Sequence, residues 1–302
     1  RIVMQWGNSS AGDQSDPAAV FGTEHGFAGA WSFDEQDPAI DGVNDRTAHA
    51  NHGVSQGMTS AGVCEGIAGK AYHFDGDEFV KIEPGADDAL RFTSQYTLSA
   101  WIKRSGSDFG AGYWEQVISR QYGSNNADSW FLGFKGIGTL DEEQIAVGSG
   151  TTIALSAAGV IQPSAWHHIA AIKDGPNVTV LLDGAVVATE SNAQDPVQND
   201  DNEVTIGAQD NGEQNWTEFF HGCVDEVWAM SESRSVDWVK LAYGNQRPDQ
   251  KLVCFDKQQT VVLLGITSTE RFVPAGVKGQ GWVEDRASDE SKITMDNQEY
   301  AY

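Results

Sequence analysis

The chain has 302 residues with 33 Gly and 10 Trp, and 19 Lys+Arg stand against 44 Asp+Glu for a formal net charge of −25. So acidic a surface repels phosphate backbones and anionic headgroups, which argues against nucleic acid as a partner and suits an extracellular or salty medium, or the binding of divalent cations. No run of about 18 apolar residues occurs, so no membrane insertion is expected.

Taken in order, Arg1–Trp6 predicts a strand and Gly7–Pro17 a polar loop. Gly26–Glu35 reads as an aromatic-rich strand that ends in two acids, Asp34 and Glu35. Residues 36–69 are rich in Asp, Asn, Gly and His. A loop of that length is functional, ordered by a cation, or closed by a bridge at Cys64. From Lys70 the strand patterns come at short intervals. Ala71–Phe74 and Phe79–Ile82 flank Asp75-Gly76-Asp77, a hairpin signal. Tyr96–Arg104 alternates cleanly, with Leu98, Ala100 and Ile102 on one face and Thr97, Ser99, Trp101 and Lys103 on the other.

Gln116–Arg120, Ser129–Phe134, Gln144–Val147 and Thr152–Leu155 follow as short strands. Trp166–Lys173, Val178–Leu182 and Ala185–Thr189 are joined by Gly-containing turns. Glu203–Gly207 leads through a loop at Ala208–Thr217 to Phe219–Trp228. One helix is predicted at Val236–Tyr243, with Ser235 as N-cap and Gly244 at C′. Residues 251–302 read as strands and then a polar tail. Short strands with Gly turns and almost no helix predict an all-β, two-sheet antiparallel sandwich. The expected divisions are 1–25, a leading strand or the end of a preceding β domain; 26–248, the sandwich; and 249–302, a further β segment.

Phe219–Trp228 carries the sharpest pattern. Alternation puts Phe220, Gly222, Val224, Glu226 and Trp228 on one face, and His221, Cys223, Asp225 and Val227 on the other. Two adjacent carboxylates then point opposite ways. Each needs a partner in a hydrophobic strand, and the pair cannot act together on one substrate. No ExDxxE or HExxH pattern occurs, so no enzyme activity is expected. The three cysteines, Cys64, Cys223 and Cys254, form no CxxC. Cys64–Cys223 is the preferred disulfide, with Cys223–Cys254 and three reduced thiols as alternatives.

Aromatic residues divide by context. Trp31, Trp101, Trp130, Trp166 and Trp228 lie in strand patterns and are expected in the core. Trp114 and Trp216 fall in loops among Asn, Asp, Gln and Gly. With Tyr113, Tyr122, Asn125, Asn126, Asp210 and Asn211 they could line one rim. There, rings would stack on a sugar and the polar groups would bind its hydroxyls. The bland alternative is that these aromatics anchor their loops. His167-His168 are strand neighbours on opposite faces and cannot share a metal. Calcium wants six to eight oxygens from carboxylates and carbonyls. The candidates are Asp34, Glu35, Asp41, Asp45, Asp75 and Asp225, with turn capping as the alternative for Asp75.

WSFDE, the long Asp/Asn/Gly loop, GKAYHFDGDEFVKI, FTSQYTLSAWIKR, WHHIAAIKDG, VTVLLDGAVV, EVTIGA and FHGCVDEVW, in this order and spacing, resemble the laminin-G-like family of concanavalin A-type jelly rolls. The likeness runs from about Gly26 to Tyr243. The first segment, IVMQWGNSSA…AVF, is similar to the end of an uncharacterised bacterial envelope domain. The resemblance implies a curved jelly roll, extracellular, cell-surface or periplasmic display, frequent calcium, and a role in adhesion or glycan binding as part of a larger protein. In relatives the first and last strands lie side by side. That would bring Asp34 close to Asp225, joined by a cation or held separately by backbone N–H groups. A structural or protein-docking role in an envelope assembly is the second functional expectation.

Overall fold

The computed structural model describes residues 16–83, 88–105, 112–120, 129–137, 142–197, 203–211 and 215–249, together with the backbone of three strands near the C-terminus. In chain order the strands are β1 (Phe27–Trp31), β2 (Gly53–Gln56), β3 (Val63–Glu65), β4 (Lys70–Asp75), β5 (Phe79–Ile82), β6 (Gln95–Arg104), β7 (Trp114–Arg120), β8 (Trp130–Lys135), β9 (Gln144–Ser149) and β10 (Thr152–Leu155). They continue with β11 (Trp166–Asp174), β12 (Asn177–Leu182), β13 (Ala185–Ser191), β14 (Val204–Ile206), β15 (Gln209–Asp210), β16 (Trp216–Thr217) and β17 (His221–Met230). The helices are a single turn, α1 (Pro17–Val20), and α2 (Val236–Gln246).

Two antiparallel sheets form the sandwich. The eight-stranded sheet runs β13-β12-β11-β6-β17-β4-β3, with β1 also paired to β17, and the seven-stranded sheet runs β10-β9-β8-β7-β14-β5-β2. Residues 1–252 form one unit and 253–302 another. The second unit contains a three-stranded sheet of β18 (Trp282–Asp285), β19 (Ser291–Met295) and β20 (Gln298–Ala301). The strand expected at Arg1–Trp6, the KLVCF and TVVLLGI stretches and Cys254 lie outside the described residues.

Alternation sets the core. Leu98, Ala100 and Ile102 of β6 point inward and meet Trp130, Leu132 and Phe134 of β8 in one apolar cluster. On the other side of β6, Trp101 stacks on Tyr243 of α2 at 5.5 Å between ring centroids. Helix α2 closes that outer face, with Val239 packed on Ala170, Ile172 and Leu181. Ser235 caps it as expected, its hydroxyl accepting from Trp238 N. The helix passes through Gly244 to Gln246 and ends at Arg247, so Gly244 is an interior residue and not the terminator. Residues 36–69 are not one loop, because β2 and β3 lie within them.

The last sandwich strand departs from simple alternation. Between Asp225 and Trp228 its register against β6 shifts, so that Glu226 and Val227 together oppose Ala100. Glu226 takes the left-handed conformation at φ 47°. An extra residue in one strand inverts the facing of everything after it. Val227 therefore enters the core and Trp228 turns outward, half-buried, against Phe21, Phe27 and Trp238. This corrects the core assignment of Trp228, and Trp166 is likewise only partly buried. Trp31, Trp101 and Trp130 are buried as expected.

Cys64 and Cys223 form the disulfide, which ties β3 to β17 across the intervening β4.

Candidate functional site

Phe131, Gly133 and Lys135 of β8 point away from the core, because Trp130, Leu132 and Phe134 point into it. Trp114 joins them on that outer face. Its ring lies edge-to-face with Phe131 at 6.1 Å, and the Lys135 ammonium sits 5.3 Å from its centre. Trp114 opens strand β7 and is not a loop residue. Gln116, two positions on, faces the same way and donates through Nε2 to Gln209 Oε1 at 3.4 Å. Gln209 and Asp210 form β15, which pairs with Trp216 and Thr217 of β16. The loop expected at Ala208–Thr217 is thus a small hairpin set beside β7.

The outer face therefore gathers Trp114, Gln116 and Gln209, with Asp210, Asn211 and Trp216 on the same hairpin and Tyr113 leading into β7. Trp216 is half-buried and packs on Phe79 with centroids 4.4 Å apart, so one of its faces is already used. Asp210 is buried, and Asn211 N donates to Asn215 O to close the hairpin. Gln116 is 1% exposed, and among the described residues its Oε1 has no hydrogen-bond partner. Glu218 follows the hairpin. Burial pushes its carboxyl up to about 7, against the Trp114 backbone N–H, and Glu115 raises it further. Tyr122, Asn125 and Asn126, expected on the same rim, lie outside the described residues.

The acids expected to bind calcium fall into separate settings. β1 pairs with β17, with Trp31 opposite Val227, so the first and last strands do lie side by side. Asp34 and Asp225 both reach the turn at 66–70 and take backbone N–H groups from it. Asp225 Oδ2 accepts from Ile67 N at 2.8 Å and Ala68 N at 3.2 Å, and its Oδ1 accepts from Glu226 N at 2.8 Å. Burial lifts its carboxyl to about 8 in spite of these donors. Asp34 is exposed and accepts from Lys70 N at 3.2 Å. Asp45 organises the long connection, taking Ala30 N, Thr47 N, Thr47 Oγ1 and Asn51 N on its two oxygens. Asp75 is exposed beside Asp77 and Glu78 in the hairpin turn, and its own N–H donates to Glu78 Oε2.

Glu35 differs from the rest. Its Oε1 accepts from Asn44 N at 2.9 Å and Asn44 Nδ2 at 3.1 Å. Its Oε2 is buried with no hydrogen-bond partner among the described residues. Burial first, and then Glu35, Asp41 and Asp37, hold the Tyr72 hydroxyl far above its ordinary value. That hydroxyl donates to Gly42 O at 2.9 Å.

Sequence reasoning missed a buried charge network at the far end of β6. Arg104 is 0% exposed and its guanidinium packs over Phe134 and Phe220. It donates to Glu115 Oε2, to both oxygens of Glu143 and to His221 O at 3.0 Å. His221 Nδ1 lies 2.8 Å from Glu115 Oε1. Burial pushes the Glu143 carboxyl up, and Arg104 pulls it back down. The only signal in the sequence was the inward parity of Arg104 with Leu98, Ala100 and Ile102. His167 and His168 face apart as expected: His168 is buried and neutral, pushed down to about 4 by burial, while His167 pairs with Asp183 at 2.8 Å.

A model of the concanavalin A-like lectin/glucanases superfamily matches residues 74–240, over half of the chain. Among solved structures, domain 4 of AbnA, a GH43 extracellular arabinanase from Geobacillus stearothermophilus, in complex with arabinotriose, is similar with a TM-score of 0.52. The identity is 18%, over 71% of this chain and 96% of that one. The binding domain of Paraclostridial Mosquitocidal Protein 1 gives a TM-score of 0.55 at 12% identity, over 91% and 76%. The binding domain of Botulinum Neurotoxin DC in complex with SialylT gives 0.51 at 9% identity, over 91% and 73%. At such identities the likeness is one of fold. No curated protein matches the chain. The matched stretch carries most of the strands of both sheets, from β5 to β17, and the chain belongs to the concanavalin A-like lectin/glucanases superfamily.

Proposed function

We propose that this chain is a non-catalytic, extracellular glycan-binding module of a larger exported protein, with its ligand on the outer face of the seven-stranded sheet. The observation that carries the reading is the half-buried indole of Trp114 on that face, with Lys135 5.3 Å from its centre and the polar β15–β16 hairpin set beside its strand. A flat indole beside amide and carboxylate groups suits the apolar face and the hydroxyls of a sugar ring. The similar domains solved with arabinotriose and with SialylT support the same ligand class. Asp225 and Glu226 point to different surroundings, which supports a binding role over acid–base chemistry.

The test is a glycan array followed by calorimetry on the best hit. Trp114→Ala should weaken that hit at least tenfold and leave the melting temperature nearly unchanged. If the array stays blank with and without EGTA, the reading fails and a structural or docking role in an envelope assembly takes its place.

Calcium belongs to the same proposal as a structural ion. The candidate that fits it best is Glu35, whose buried Oε2 lacks a hydrogen-bond partner among the described residues. Asp45 and Asp225 fit less well, because backbone N–H groups already point at their oxygens. A bound ion there would supply charge balance to the residues 36–69 connection. Melting with and without EGTA tests it.

A further inference from the structure

A cavity of about 480 Å³ lies outside the eight-stranded sheet, on the other side of the sandwich from Trp114. Four rings from four parts of the chain wall it: Phe21, Phe27 of β1, Trp228 of β17 and Trp238 of α2. Their centroids are 5.3 to 6.3 Å apart, mostly edge-to-face, so the aromatic cluster is rigid and keeps its shape. Trp228 turns its indole N–H away to Glu226 Oε2 at 3.1 Å, which leaves the carbon part of the ring for the cavity. Val20 and Leu241 on the rim are 67% and 57% exposed.

The polar content is sparse. Among the described residues, Arg234 and His25 are the ionisable ones lining the cavity and no carboxylate lines it, with Glu24 and Glu232 each 3.5 Å from one of them at the outside. Arg234 lies over Trp238 at 5.1 Å. Its Nε is buried and without a hydrogen-bond partner among the described residues, and its Nη1 has only a 3.5 Å contact to Glu232, a largely exposed carboxylate. A partly exposed guanidinium held by one long ion contact offers its Nη donors to a planar anion. Asn245 adds an exposed amide at the edge.

We propose that this cavity is a second saccharide site, selective for a sugar that bears a carboxylate. The sugar's C–H face lies against Trp228 and Phe21. Its carboxylate takes the Arg234 fork in place of Glu232, and its hydroxyls reach Asn245. Charge complementarity decides the class, since Arg234 has only a 3.5 Å contact to a largely exposed carboxylate and an acidic sugar would give it a closer one, which a neutral sugar cannot. The inference rests on the proposed glycan-binding role but on a different face and different residues.

The experiment uses the full chain and four probes: galacturonate and glucuronate oligosaccharides and their neutral galactose and glucose counterparts. Calorimetry is run on wild type, Arg234→Met, Asn245→Ala and Trp114→Ala. The expected result is that the acidic probes bind at least tenfold more tightly than the neutral ones. Arg234→Met should remove that preference at unchanged melting temperature, and Trp114→Ala should leave it intact. Acidic probes that bind equally well to Arg234→Met would overturn this site. So would neutral probes binding wild type as tightly as acidic ones. If those same data show binding abolished by Trp114→Ala, the role of the opposite face survives. No binding of any probe, together with a blank array, overturns both.

Discussion

Arg104→Met is the substitution that asks most of the structure. The wild-type guanidinium is fully buried between Phe134 and Phe220 and faces two carboxylates, Glu115 and Glu143. Methionine keeps the apolar contacts and removes the charge. Glu143 then has no cation, and Glu115 retains only His221. Removing one partner of a buried ion pair costs about 3–5 kcal/mol, because the remaining charge stays out of water. A domain has about 5–15 kcal/mol in all, so the variant should be marginal. Urea unfolding followed by tryptophan fluorescence at pH 7.5 measures the loss.

The pH dependence supplies a second, independent reading. Without Arg104, the burial that already raises the Glu143 carboxyl is no longer opposed by the guanidinium, so that carboxyl rises further above its unfolded value. A group raised in this way contributes stability that is present below the unfolded value and lost as pH rises through the folded one. The gap between wild type and Arg104→Met should therefore narrow as pH falls from 7.5 toward 5. Arg104→Met combined with Glu115→Gln and Glu143→Gln should recover part of the loss at pH 7.5. A loss under about 1 kcal/mol at pH 7.5 with unchanged m-value would refute the view that this network holds the end of the sandwich.

Three further predictions follow from other parts of the fold. Cys64 and Cys223 are separated by 159 positions, and closing so long a loop in the unfolded chain is worth up to about 5 kcal/mol; replacing both by Ala should lower the urea midpoint, with a loss of about 2–5 kcal/mol, and an unchanged midpoint would remove the disulfide from the stability account. Glu218 is raised to about 7, so its contribution is present below about 4.5 and disappears as pH climbs through 7; the melting temperature should fall between pH 6 and pH 8, and Glu218→Gln should flatten that slope. EGTA should lower the melting temperature of wild type through loss of a bound ion, and Glu35→Gln should abolish the response; a wild-type curve indifferent to EGTA and to added calcium would end the calcium proposal.

Much of the fold was legible in the sequence, for a local reason. In YTLSAWIKR and in FFHGCV each side chain declares its face by a period of two, and a mistake of one residue would put Leu98 or Val224 in water. Pattern and order together therefore pointed to the sandwich and to Trp31, Trp101 and Trp130 in its core, while Trp166 and Trp228 are only partly buried. Parity was lost at Glu226, where the bulge moved Trp228 outward. Nothing in the letters VDEVW marks an extra residue, because a bulge is defined only against the strand opposite.

The candidate sites show the same division more strongly. The sequence by itself determined which residues have the chemistry: loop-like aromatics at Trp114 and Trp216, loop carboxylates at 34–45, and an acidic chain with few cations to spare. Only the tertiary structure decided who meets whom. It set Gln116 beside Gln209, supplied Asp225 and Asp45 with backbone N–H groups, and left one oxygen of Glu35 without a partner. It also buried Arg104 among acids that lie 11 and 39 positions away in sequence. Side-chain type and alternation are local properties of the chain. Partnership across two sheets depends on contacts between segments far apart in sequence, and no local pattern records them.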